Sequence, residues 1–273
     1  MVIENDKKIK VIAEIGWNHC GDMEIAKKMI LASKDSGANF AKFQTWSTKR
    51  LKNGDWDTDG RRQIYEKAEL SKDEHIMLKD FCKSNEIEFL SSAFSIPDAK
   101  LLKEINCKSV KIPSFESRNH ELISFCNKHF DTIIMSCGTS TFTEIKESVE
   151  LIDTADLYLM HCVSVYPGEY KNANLPKMRS LMKLCNKVGL SDHIEGVESS
   201  KVAIGEGAVI IEKHFTINKN LPGRDNKFAI MPNELKNLTD FISHRDLMLQ
   251  DKGDGYNNLE EETRLNYTGR FDG

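Results

Sequence analysis

No apolar run in this sequence approaches the ~20 residues that would span a bilayer. The first ten residues, Met1 to Lys10, are charged and carry no apolar signal region. No strong charge of either sign is present: 38 Lys and Arg stand against 42 Asp and Glu, a net charge of -4. That balance excludes the general basic character of a dedicated nucleic-acid binder and leaves only a local basic cleft open. Neither membrane nor nucleic acid is therefore an expected partner. No two cysteines have the CxxC spacing, and their number, 7, is odd. Free thiols acting as small hydrophobes in a reducing, cytoplasmic setting fit this better than a disulfide framework. No internal repeat is visible, and 273 residues leave no second domain beside one α/β barrel of ~250.

What the sequence does contain is an eightfold succession of strand-like and helix-like runs. The strand-like runs are Lys10–Gly16, Phe40–Thr45, Glu88–Phe94, Ser109–Ser114, Thr132–Ser136, Leu157–Val163, Lys187–Ser191 and Val209–Phe215. Their apolarity is continuous rather than alternating, as in parallel strands buried on both faces. Between them, Met23–Ser36 carries Ile25, Met29, Ala32 and Ser36 on one stripe, and Glu74–Ser84 turns Ile76, Leu78, Phe81 and Cys82 inward. Thr141 and Glu144 ahead of Ile145–Ile152 form a capping-box signature, and Asn233–Leu249 reads as the final helix. Eight such units in this length predict a (β/α)8 TIM barrel over residues 1–250, followed by a polar, irregular tail over 251–273. An open doubly wound sheet is the alternative. The non-periodic stretch Trp46–Tyr65 follows the second strand, which places it on the face where barrels keep their active sites.

Polar residues gather where strands should end. Glu14, Asn18 and His19 follow the first strand's core; Lys42 and Gln44 end the second, and Ser91 and Ser92 the third. Lys111, Ser114 and Glu116 end the fourth, and His161, Ser164 and Tyr166 the sixth. Ser191, Asp192 and His193 end the seventh, and Glu212, Lys213 and His214 the eighth. Barrel interiors are normally filled by branched apolar side chains, so ionisable groups at this depth need partners or a ligand. One inward lysine is as well explained by a structural ion pair. Two, Lys42 and Lys111, on different strands with Glu14 and Glu116 nearby, are harder to explain that way. With Ser92, Ser114 and Ser191 they make a cradle for phosphate and carboxylate. His193 and His214 end neighbouring strands, as a divalent-metal site requires, and with oxygen ligands from substrate and water such a site suits Mn2+ or a similar ion. His19 and His161 are expected to orient loops. His75, His120, His129 and His244 lie on helical segments as surface or packing residues, and the run from Glu260 reads as solvated charge.

These residues sit in segments that resemble the sialic acid synthases. AEIGWNHCG (Ala13–Gly21), KFQT (Lys42–Thr45), EFLSSAF (Glu88–Phe94) and VKIPSFE (Val110–Glu116) match in order. So do MSCG (Met135–Gly138), LMHCVSVYP (Leu159–Pro167), GLSDH (Gly189–His193) and IEKHFT (Ile211–Thr216). The resemblance, which runs from Val11 to Leu238, implies a barrel that condenses phosphoenolpyruvate with N-acetylmannosamine or a related amino sugar to a 2-keto acid. It implies that His193 and His214 bind the divalent metal. Lys42, Gln44, Lys111, Ser114 and Ser191 would hold phosphoenolpyruvate, with Ser92 retaining a hydroxyl for phosphate. Glu14 and Glu116 would position or activate the attacking water, and Tyr166 and Asp225 would face the sugar.

The departures are Ser92-Ala93 in place of Thr-Pro, Cys137 where Thr is usual, Ser164 in place of an amide residue, and the bulky Trp17 beside Asn18. Many members also carry a C-terminal antifreeze-like domain that reaches into the partner subunit's site, and this sequence has no counterpart to it. A homodimer, or a separately encoded lid domain, would then have to close the mouth, and N-acetylmannosamine is expected to be a poor acceptor for this chain alone. Two other readings stay open: the same chemistry on a different, non-N-acetylated acceptor, and a catalytically silent barrel acting as a subunit.

Overall fold

The computed structural model describes residues 8–271. Residues 1–7, most of the charged amino-terminal segment, and Asp272 and Gly273 of the expected tail lie outside the described residues. The strands are β1 (Lys10–Gly16), β2 (Phe40–Thr45), β3 (Glu88–Ala93), β4 (Ser109–Ile112), β5 (Thr132–Ser136), β6 (Asp156–Cys162), β7 (Val188–Asp192) and β8 (Ile210–His214). They pair in chain order, all parallel, and β8 closes on β1 to complete the (β/α)8 barrel. The open sheet is thereby excluded.

The continuous apolarity of the strands has the expected cause: both faces are buried. Outward-facing Val11, Ala13, Ile15, Phe43, Ile133 and Leu159 pack with the helices in one large core. A second, smaller core fills the bottom of the lumen with Ile12, Phe40, Leu90, Ile134, Tyr158, Met160 and Ile210. Side chains alternate along each strand, so the next lumenal residue above Ile12 is Glu14, above Phe40 is Lys42, above Leu90 is Ser92 and above Ile210 is Glu212. The register sets Glu14 opposite Lys42 and His214, Ser92 opposite Gln44 and Lys111, and Ser191 opposite Glu212. β7 and β8 approach closely at Gly189, where an added Cβ would fall 2.1 Å from the Ile210 carbonyl oxygen; only glycine permits this contact.

The helices begin where capping chemistry dictates. Asp22 caps Met23–Asp35 through the backbone N–H groups of Glu24 and Ile25. Reciprocal capping boxes join Ser71 with Glu74 and Thr141 with Glu144. The helix expected from Glu74 starts earlier, at Lys72, and Ile76 is exposed rather than inward. His75 takes the buried position, bonded to Thr45 Oγ1 and the Ser71 carbonyl, because 75, 78 and 82 share the face turned to the barrel. β4 stops at Ile112, and Ser114–Glu116 instead form a 3-10 turn after Pro113, which has no N–H to continue the ladder. The stretch after β2 is built of two 3-10 turns and the helix Arg61–Ala68. The helix Pro232–Met248 is not the last: Glu261–Tyr267 is helical too, and every described residue from 246 to 271 is exposed. Among the described residues no helix is long and apolar enough to cross a membrane.

Candidate active site

The carboxyl ends of the strands open into a cavity of about 700 Å³. Glu14, Lys42, Gln44, Ser92, Lys111, Ser114, Glu116, Tyr166, Ser191, His193, His214 and Asp225 all line it. At its floor lies a buried ionic cluster. Lys42 Nζ is 2.8 Å from Glu14 Oε2, 3.4 Å from Glu212 Oε1, and donates to Ser92 Oγ at 3.0 Å. Lys111 Nζ donates to Glu212 Oε2 at 2.7 Å, and Ser191 Oγ donates to Glu212 Oε1 at 3.3 Å. Gln44 Nε2 donates to Glu14 Oε1 at 2.6 Å. Gly16 makes room for that bond: its φ is +54°, and a Cβ would sit 3.0 Å from Gln44 Nε2 and 3.1 Å from Glu14 Oε1.

The carboxylate between the two lysines is thus Glu212, not Glu116. Glu116 lies beyond Pro113 in the 3-10 turn, partly exposed, where its Oε2 accepts from Asn119 Nδ2 at 2.8 Å. Glu212 is legible in the Glu-Lys-His run ending β8, since residues two apart share a strand face and His214 already points into the lumen. Charge within the cluster is unevenly spread. Burial would raise the Glu212 carboxyl, but Lys111 and Lys42 outweigh it and hold it down at about 2. Burial, with Glu212 adding to it, lifts the Glu14 carboxyl above its usual range despite Lys42. Burial also lowers the Lys111 ammonium, whereas Lys42, facing two carboxylates, is raised against its own burial. Glu14, a carboxylate with a raised pKa, suits proton transfer, and Lys111, with one protein partner among the described residues, suits anion binding.

Above the cluster stand the two imidazoles, ring centroids 5.4 Å apart. His193 Nδ1 lies 3.0 Å from the Val163 carbonyl oxygen, which can only accept, so this nitrogen carries a proton and the ring is fixed with Nε2 as the nitrogen left for a ligand. Burial would lower the ring's pKa, but Cys162 and the Val163 carbonyl outweigh it and raise it. Burial, with the charge of His193 adding to it, keeps the His214 ring well below its ordinary pKa and neutral, and its Nδ1 is buried without a hydrogen-bond partner. The Tyr166 ring packs on His193 at 4.1 Å between centroids. Asp225 Oδ2 accepts from Trp17 Nε1 at 2.6 Å and lies 3.7 Å from His214 Nδ1, while its buried Oδ1 accepts no hydrogen bond among the described residues. Two imidazoles on neighbouring strands, one oriented by a backbone carbonyl, fit a divalent ion. Among the described residues no cluster of three or more His, Cys, Asp or Glu could hold a metal alone. The remaining ligands would have to be oxygens of substrate or water.

His19 and His161 lie away from the cavity. Gly21 N–H donates to His19 Nδ1 at 3.1 Å, with burial drawing the ring down to about 4, and His161 Nε2 donates to the Ala173 carbonyl at 2.7 Å. The outer cavity wall, which the sequence placed only as a segment, is aromatic: Trp17, Trp46, Trp56, Tyr65, Phe94 and Phe115. Among the described residues, none after Leu249 lines the cavity.

A family model described as the NeuB family matches residues 29–254. The N,N'-diacetyllegionaminic acid synthase of Legionella pneumophila is 34% identical over 88% of this chain and 72% of its own length. The pseudaminic acid synthase of Helicobacter pylori is 34% identical over 94% of this chain and 77% of its own. Among solved structures, the N-acetylneuraminic acid synthetase of Leptospira borgpetersenii superposes with a TM-score of 0.84 at 29% identity, covering 98% of this chain and 96% of that one.

Proposed function

The chain belongs to the NeuB family, and on that premise we propose that it condenses phosphoenolpyruvate with the aldehyde carbon of an N-acetylmannosamine-like amino sugar or related aldose. The products are a 2-keto-3-deoxy sugar acid and phosphate. It is a phosphoenolpyruvate-dependent sugar-acid synthase, a transferase that forms a carbon–carbon bond. The observation that supports this reading best is the Glu14–Lys42–Glu212–Lys111 cluster, joined by buried ion pairs at the floor of an open cavity.

In this reading Lys42 and Lys111, with Gln44, Ser92, Ser114 and Ser191, hold the phosphate and carboxylate of phosphoenolpyruvate. Its enol carbon attacks the aldehyde, whose oxygen becomes a hydroxyl, and positive charge develops at the second carbon. Glu212 and Glu14 face that charge. Glu14, with its raised pKa, takes a proton from the water that adds there, and Glu116 orients groups at the rim. The tetrahedral adduct then sheds phosphate and leaves the keto group. Tyr166 and Asp225 contact the sugar. His193 and His214 would hold a divalent ion, for which Mn2+ suits the mixed nitrogen and oxygen ligands, and the ion would polarise the aldehyde as a Lewis acid.

We further read residues 1–250 as the catalytic barrel and 251–273 as a tail. The seven free cysteines support a cytoplasmic setting. Closure of the mouth is assigned to a second copy of the chain or to a lid domain, since none of the described residues after Leu249 lines the cavity. The test is phosphate release from phosphoenolpyruvate by the purified chain, with a panel of free hexoses and N-acetylated amino hexoses and with Mn2+ or other divalent ions. Aldose-dependent release that chelation abolishes and Mn2+ restores is expected. Absence of release with every aldose and ion would overturn the reading.

A further inference from the structure

Trp17 occupies a position that the reaction as described above does not use. It follows β1, is 5% exposed, and lines the cavity beside Tyr65, with ring centroids 5.0 Å apart. Its indole N–H reaches across 208 residues of sequence to donate to Asp225 Oδ2 at 2.6 Å. The consequence lies on the other carboxylate oxygen. With Oδ2 engaged, Oδ1 is buried, accepts no hydrogen bond among the described residues, and has only Arg224 Nε near it, at 3.5 Å. A buried acceptor left empty is costly unless a ligand fills it. An aspartate tethered through one oxygen presents the other in a single direction, whereas an untethered one samples two rotamers and both oxygens.

We propose that Trp17 is a positioning residue for acceptor binding: its N–H holds Asp225 so that Oδ1 accepts one hydroxyl or amide N–H of the sugar, and its ring with Tyr65 forms the adjoining wall. The inference rests on the reading of Asp225 as a sugar contact. It separates acceptor recognition, which runs through Trp17 and Asp225, from phosphoenolpyruvate recognition, which runs through the lysines. The bulk of Trp17, which in sequence reads as an intrusion beside Asn18, becomes the feature that brings the donor within reach of Asp225.

The experiment uses the full chain with phosphoenolpyruvate, Mn2+ and the aldose that the panel shows to be best. Trp17→Phe keeps a ring against Tyr65 and removes the N–H. It should raise the acceptor KM on the order of tenfold to a hundredfold, the range for a lost hydrogen bond to a charged group. The KM for phosphoenolpyruvate should stay within about twofold, a split that loss of packing alone would not give. In an Asp225→Ala background, where the acceptor KM is already raised, Trp17→Phe should add nothing, because the two residues act as one unit. If Asp225→Ala raises the acceptor KM and Trp17→Phe does not, positioning is refuted while the role of Asp225 stands. If Asp225→Ala leaves that KM unmoved, the reading of Asp225 fails, and the inference with it. If Trp17→Phe raises both KM values equally, Trp17 is structural and the proposal is overturned.

Discussion

Two buried ion-pair groups lie back to back on β8 and differ in how completely they are satisfied. Glu212 points into the lumen; its neighbour Lys213 points outward, into the layer between sheet and helices, to Asp192. Asp192 is saturated: Oδ2 accepts from Ser199 at 2.6 Å, Ser200 at 2.7 Å and Lys213 at 3.1 Å, and Oδ1 from Ile194 N–H at 3.0 Å. Lys213 also donates to the Ile194 carbonyl. The lumenal group, by contrast, opens on the cavity, and Lys111 has one protein partner among the described residues although an ammonium carries three donors. Burial of charge is common to both, so burial does not identify a site. Unused hydrogen-bonding capacity facing open space does. The outer pair pins the segment between β7 and the next helix, Glu198–Gly205, and so the backbone that carries His193.

The contrast can be broken first at Glu14. Glu14→Gln keeps the size and one acceptor oxygen but removes the base and the charge facing Lys42, and kcat should fall about 10²–10⁴-fold with the fold intact. Steady-state rates and a melting curve check this; near-normal turnover would remove Glu14 from the chemistry. On the outer side, Asp192→Ala leaves Lys213 buried and unpaired, which should cost about 3–5 kcal/mol of stability in denaturant unfolding. A loss below about 1 kcal/mol would show that the outer pair is not structural.

A smaller effect sharpens the electrostatics. Glu14 works as a base only when deprotonated, and its pKa is raised, so activity should fall as pH drops through a value above the ordinary carboxylate range. Gln44 stabilises the charged form through its 2.6 Å bond. Gln44→Met should therefore move the acid limb of the rate profile to higher pH; an unmoved or opposite shift would assign that limb to another group.

Much of this was legible in the sequence because a barrel of parallel strands makes its apolar runs continuous. Lys42, Lys111 and His214 stand out as ionisable residues inside such runs. Pairings between residues far apart in the chain were not legible. Lys111 meets Glu212 across 101 residues and Trp17 meets Asp225 across 208, distances over which periodicity carries no information. Glu116 was placed too near the lysines because the turn after Pro113 carries it to the rim. The helix Glu261–Tyr267 is not legible for a different reason: it is short, exposed along its length and carries no amphipathic pattern for a core to select.

The most direct test of the central claim is calorimetric titration of phosphoenolpyruvate into the wild type, Lys111→Met and Lys213→Met. Both variants remove one buried ammonium from β4 or β8 at nearly constant volume. Lys111→Met should weaken binding about tenfold or more while the protein stays folded. Lys213→Met should melt at a lower temperature yet bind phosphoenolpyruvate as the wild type does. Unchanged affinity in Lys111→Met, or an equal loss in both, would contradict the assignment of the lumenal group as the anion site.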